Sequence, residues 1–220
     1  MCPRSILAVL VSLAACAAPR SEAPRPAADR PADPTELARA VERVERLDRL
    51  RSSLASTFDD PTARPDRATF LVVCKPVGVE AARIARENGW AVEQLSEKYR
   101  NPDHAPDPEA REAIDRFERV GALDGQWIRT VRDGTEGTRY FRRIVVEPPC
   151  LQCHGEKESR PRFVKEGYPE DRAYGFDVGD LRGIYSVFVP DSVALVPGGE
   201  TSPGSGGKSP ADGEAGSSGA

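Results

Sequence analysis

"QWIRTVRDGTEGTRYFRRIVVEPPCLQCH", residues 126 to 154, carries two signals end to end. The first is a pair of runs rich in β-branched and aromatic residues around Asp133-Gly134 and Gly137, the composition of a β-hairpin. The second is Cys150-Leu151-Gln152-Cys153-His154, reached through Pro148 and Pro149. Helical periodicity precedes this stretch, and an apolar run, "GIYSVFVP" at 183 to 190, follows it as a closing strand. Helices, hairpin, cysteine motif and closing strand together read as an α+β domain.

C-x-x-C-H is the attachment signature of c-type haem. Each thiol can add across one vinyl group of the macrocycle, and the adjacent imidazole is then set to ligate the iron. Other readings compete. A thioredoxin-like pair wants a strand before it and a helix starting at its first Cys, and Pro148 and Pro149 do not suit the ladder of that strand. Structural zinc needs four ligands, and beyond the motif only Cys74 and His104 remain to a processed chain. A Cys150–Cys153 disulfide would close a very small loop and stabilise little. Haem leads, with zinc and a thiol role as alternatives.

The N-terminus bears on the compartment. "MCPRSILAVLVSLAAC" has one Arg, Arg4, and then an apolar run from Ile6 to Ala15. That run has the length of a secretory h-region and is too short to span a bilayer as a helix. "LAAC", Leu13 to Cys16, resembles the lipobox of bacterial lipoproteins, whose Cys becomes the lipidated first residue. Ordinary signal-peptidase cleavage a few residues later is the alternative. Ala17, not Asp, follows Cys16, which in bacteria with two membranes implies transport to the outer one. The expectation is an exported protein facing the periplasm and held at the membrane by lipid on Cys16. Haem is attached to c-type proteins outside the cytoplasmic membrane, so export and C-x-x-C-H support each other.

Composition divides the 220 residues. Residues 1–15 read as a lipoprotein signal peptide and 16–34 as a Pro/Ala-rich linker. Residues 35–195 read as the folded domain, and 196–220 as a disordered Gly/Ser/Pro tail. The tail's "GSGGKS" lacks the first Gly of a phosphate-binding loop, Ser202 standing there, and reads as linker. With 31 basic and 35 acidic residues the chain gives no reason to expect nucleic acid as a partner. Within the domain, Pro34 and Thr35 open a long helix with Leu37, Val41, Val44, Leu47, Leu50 and Leu54 along one side. "ATFLVVCKPVGVEAARIARENG", 68 to 89, reads as a second helix, distorted near Pro76 and Gly78 and ending at Gly89. Asp107 caps a third, with Pro108 at its first position and Ala110, Ile114 and Phe117 facing inward.

Four blocks, "CKPVGVEAARIARENGW", "RNPDHAPDPEA", "CLQCHG" and "YPEDRAYGFDVGDLRGIYSV", resemble in that order a family of bacterial PAS-like c-type haem domains. These occur as stand-alone proteins in cyanobacteria and other bacteria, and as extracytoplasmic sensor domains. The resemblance covers roughly residues 36 to 190. It implies a PAS-like antiparallel sheet flanked by helices, here with a long N-terminal helix, and one covalent haem c on Cys150 and Cys153. His154 would be the proximal iron ligand. The family's cysteine at the position of Cys74 is a sixth ligand, so Cys74 is the expected distal donor. His104 stands where a second Asn is common in the family, which introduces a competing imidazole. Arg100, Asn101, Arg182 and Asp180 lie in the family blocks as candidate haem contacts, with tight turns the plainer reading of Asn101-Pro102 and Gly179-Asp180.

The other axial position has few candidates. The only Met is Met1, inside the signal peptide, so His/Met ligation is excluded. Cys74 also needs a reason to be an unpaired thiol in an oxidising compartment. His104, or an open or water-filled site, are the alternatives. An anionic sulfur ligand would favour the ferric state. Three functions follow: a haem-based redox or gas sensor, an electron carrier with a redox partner protein, or a peroxidase-type enzyme. The last is weakest, since no paired-carboxylate or Ser-His-Asp set is visible.

Overall fold

The computed structural model describes residues 33–58, 60 and 64–191. The expected signal peptide, the lipidation site Cys16, all but the end of the linker, and the Gly/Ser/Pro tail lie outside the described residues.

The long helix α1 spans Pro34–Ser56. Asp33 caps it, its carboxylate accepting from the Thr35 amide at 2.8 Å, and Pro34 sits where its missing N–H costs nothing. The face it buries runs through Ala40, Val44, Leu47, Asp48 and Ala55. The expected stripe lies on this face: Val44 and Leu47 are fully buried, Leu37, Val41 and Leu54 pack against the core, and Leu50 is half-buried. Ala40 and Ala55 are buried on the same helix.

The second helix is two helices, α2 at Arg67–Val73 and α3 at Lys75–Asn88, broken at Cys74. The break falls two residues before Pro76 and not at Gly78, which stays helical. Pro76 has no N–H to give Val72, so the ladder stops and Val77 turns back on the Cys74 carbonyl at 3.2 Å. Asp66 and Thr69 form a capping box on α2, and Gly89, in the left-handed region at φ 67°, ends α3 as expected. Helix α4, Pro108–Arg119, is capped by Asp107 and buries Ala110, Ala113, Ile114 and Phe117.

Four antiparallel strands follow the order β1-β4-β3-β2. They are β1 (Ala91–Leu95), β2 (Gly125–Arg132), β3 (Thr135–Val145) and β4 (Leu181–Pro190). The hairpin turns at Asp133 (φ 51°) and Gly134 (φ 77°), both left-handed as a type I′ turn requires; Gly137 lies inside β3. Strand β1 adds an element that the sequence reading did not contain. Short helices α5 (Leu151–His154) and α6 (Arg162–Gly167) lie between β3 and β4.

The sheet divides two cores. Tyr140, Ile144, Tyr185, Val187 and Val189 face α1 and α3, while Phe141 and Ile184 face α4. Strand β4 is therefore buried on both faces, hence its unbroken apolar run. Near its start the ladder slips: Ile144 pairs with Gly183 but Val145 with Leu181, leaving Arg182 as the extra residue of a bulge. Gly183 has φ 155°, and a Cβ there would stand 2.5 Å from the Leu95 carbonyl oxygen. Gly183→Ala must push β1 away from β4, and we expect a loss of about 2 kcal/mol in urea unfolding, the scale of an overpacked interior.

Candidate functional site

A cavity of about 760 Å³ opens between α1, α2–α3, β1 and the segment that carries the two motif cysteines. Ala55, Phe58, Phe70, Val73, Val77, Ala81, Val92 and Ile144 supply its apolar walls. Cys74, Arg100, Asn101, His104, Cys150, Cys153, His154 and Arg182 also line it, so every chemical candidate within the described residues except Asp180 converges on one space. Cys16 lies outside the described residues.

Pro148 and Pro149 end β3 in a short 3₁₀ turn, Pro148–Cys150, and α5 follows directly. One helical turn thus places Cys150, Cys153 and His154 on the cavity wall. The imidazole of His154 is held from behind: its Nδ1 lies 2.8 Å from the Ala173 carbonyl oxygen, which fixes Nδ1 as the donor. Nε2 makes no hydrogen bond among the described residues. Phe176 meets the ring edge-on, centroids 6.2 Å apart, and its amide donates to the His154 carbonyl at 3.2 Å. Burial, with Arg182 and Arg100 nearby, holds the imidazole pKa well below its ordinary value. The ring is neutral and free to give a lone pair to a metal.

Asp171 organises the loop behind it. Its side chain has no exposure, and it pairs with Arg160 at 2.6 Å and Arg100 at 3.4 Å while accepting from the Ala173 amide at 3.0 Å. Arg100 also donates to the Cys153 carbonyl at 3.1 Å. The sequence reading missed Asp171, although it stands inside the "YPEDRAYGF" block. Replacing Asp171 with Asn would strand two interior guanidiniums, and we expect at least ~3 kcal/mol lost in chemical denaturation.

The bulge aims Arg182 at the cavity. Its guanidinium donates to Ser96 Oγ at 3.1 Å and the Lys98 carbonyl at 3.2 Å, lies 5.4 Å from the Phe176 ring centroid, and forms no ion pair among the described residues. Burial, and repulsion by Arg100, pull its pKa down to about 10. A cation in that condition calls for an anion. Asn101 caps a short turn, accepting from the Asp103 amide at 3.3 Å, so the plain turn reading holds while the residue still touches the cavity. Asp180 is not on this cavity; its carboxylate accepts from the Asp177 amide at 2.8 Å.

Cys74, Cys150 and Cys153 are each free thiols. Burial pushes the Cys153 thiol up to about 11; Cys74 is exposed at the cavity, and partial desolvation by its surroundings raises its thiol as well, with Arg100 opposing in both. Arg51, paired with Asp48 at 2.9 Å and Glu147 at 2.9 Å, reaches Cys150 Sγ at 3.9 Å. His104 is exposed on its outer side, and partial desolvation lowers its pKa. Among the described residues no group of three or more His, Cys, Asp or Glu is placed to hold a metal ion. No described helix is long and apolar enough to cross a membrane.

A four-stranded antiparallel sheet flanked by helices, with a Cys- and His-lined cavity beneath one face, defines a PAS-like domain. The chain belongs to the Tll0287-like family, which matches residues 23–190. The crystal structure of the cyanobacterial heme-protein Tll0287 superposes with a TM-score of 0.65 at 48% identity, covering 73% of this chain and 98% of that one. No match is found among curated proteins.

Proposed function

We propose that this protein binds one haem c in the cavity, joined to Cys150 and Cys153 and ligated by His154, and works in redox chemistry. The observation that carries the reading is the C-x-x-C-H turn on the wall of an apolar cavity, with the imidazole already oriented by Ala173. The kinship with a cyanobacterial heme-protein supports it. The residues fit the group. About 760 Å³ is the size of a cofactor site, and its walls are apolar. Arg182, with no carboxylate of its own, and Arg100 suit the two propionates, with Asn101 offering a further polar contact.

Bound haem would supply one-electron chemistry at iron. The chain's share is orientation and tuning. Ala173 fixes the tautomer of His154 and makes Nε2 a better donor. Cys74 would be a second donor to the iron, a soft sulfur that metal binding would deprotonate despite its raised pKa. His104 is the alternative donor on the same cavity. An anionic sulfur donor there would favour the ferric state, and Cys74 stands where a displaceable donor would give a small gas or oxidant access to the cavity. This suits a redox or gas sensor; retention of both ligands suits an electron carrier that docks with a redox partner protein. Lipid on Cys16 would tether either to a membrane facing the periplasm.

Peptide mass analysis of protein matured in a periplasm should find one haem on the segment holding Cys150 and Cys153; bound zinc without haem overturns the proposal. Cys74→Ser should turn the ferric spectrum high-spin or shift it to a substitute ligand, and raise the midpoint potential. His104→Asn should leave both nearly unchanged, and the reverse pattern would assign the axial position to His104. Separately, Cys16→Ser should release the protein from the membrane fraction, and a wild type that is already free of membranes removes the lipid anchor.

A further inference from the structure

A second cavity, of about 440 Å³, lies on the α4 side of the sheet, away from the two motif cysteines. Ile114, Phe117, Phe176 and Leu181 line it, and the first three are at most 6% exposed. Arg143 enters it from β3, on the sheet face that also carries Phe141. Only 9% of Arg143 is exposed. One of its nitrogens donates to the Gly121 carbonyl, its Nε has no hydrogen-bond partner, and it forms no ion pair among the described residues. Arg139, the other buried guanidinium on this face of the sheet, is matched by Asp107, Glu109 and Glu93. An interior cation that forms no ion pair, beside a space walled on one part by Ile114, Phe117, Phe176 and Leu181, is a recognition element for an anion with an apolar body.

We propose that this cavity binds a small organic monocarboxylate, with Arg143 as the anchor for its charge. A guanidinium takes a carboxylate through two parallel N–H bonds, and the apolar walls take an aliphatic or aromatic body. Lys98, the other cation there, already donates to the Gly175 carbonyl at 3.0 Å and lies 4.5 Å over the Phe176 ring. Glu97, Glu118 and Asp180 also line the space, so a second negative charge on the ligand meets repulsion and a monoanion is preferred. Phe176 is a wall of this cavity and also packs on His154, so occupancy can be felt at the other site.

The test is calorimetric titration of the full-length protein as purified after export, with benzoate and its neutral isostere benzamide as probes. Benzoate should bind at least tenfold more tightly than benzamide. Arg143→Met should abolish that preference, and Glu118→Gln, a surface change, should strengthen benzoate binding two- to threefold. Equal affinity of the wild type for the two probes overturns the proposal without any variant. So does no heat at millimolar benzoate, and so does an Arg143→Met protein that folds and keeps the preference.

Discussion

A carboxylate with no exposure to water is held by Asp171 between two arginines and a backbone amide. A charge in that position is tolerated only when its partners are fixed around it, and so the partners are fixed too. Arg100 carries the constraint to the Cys153 carbonyl, and Ala173, whose amide Asp171 holds, carries it to the His154 ring. The segment from Gly155 to Asp180 has little regular structure apart from α6. It is nonetheless ordered where it matters, because this ionic knot ties it to the cavity wall.

The sheet supplies the second organising constraint. With β4 buried on both faces, helices α1 and α3 take one side and α4 the other, and each side keeps a cavity of its own. The bulge at Arg182 joins the two. An in-register strand would keep strict alternation there; the extra residue re-aims a guanidinium toward the motif cysteines, and Gly183 lets β1 approach. Ser96 and Gly183 consequently touch both spaces.

Features set by neighbouring residues were legible in the sequence. The helix opening at Pro34 and Thr35, the hairpin at Asp133-Gly134, the stop at Gly89 and the cysteine–histidine turn each depend on a few adjacent residues. The family blocks then supplied the sheet's architecture. What stayed hidden depends on distant partners. Strand β1 is five residues with Glu93 and Gln94 in its middle, half-buried on both faces, and only its pairing with β4 makes it a strand. Asp171 reads as one acid among 35 until Arg100, 71 residues away, is brought beside it.

Helix α2 has a consequence for motion. It buries no residue of its own, Leu71 and Val72 point largely to solvent, and its ring contact is Phe70 against Phe163 at 6.0 Å. Stability is unevenly distributed in a fold, and a segment with so little apolar surface in the core opens at far lower free energy than the sheet. Cys74 sits at the end of that segment, at a joint where the helical ladder is already interrupted. His154 is clamped from behind by the most tightly tied part of the domain. The two sulfur- and nitrogen-bearing sides of the cavity therefore differ in stiffness: one is a fixed wall, the other a hinged one, and thermal fluctuation will be felt first at the thiol.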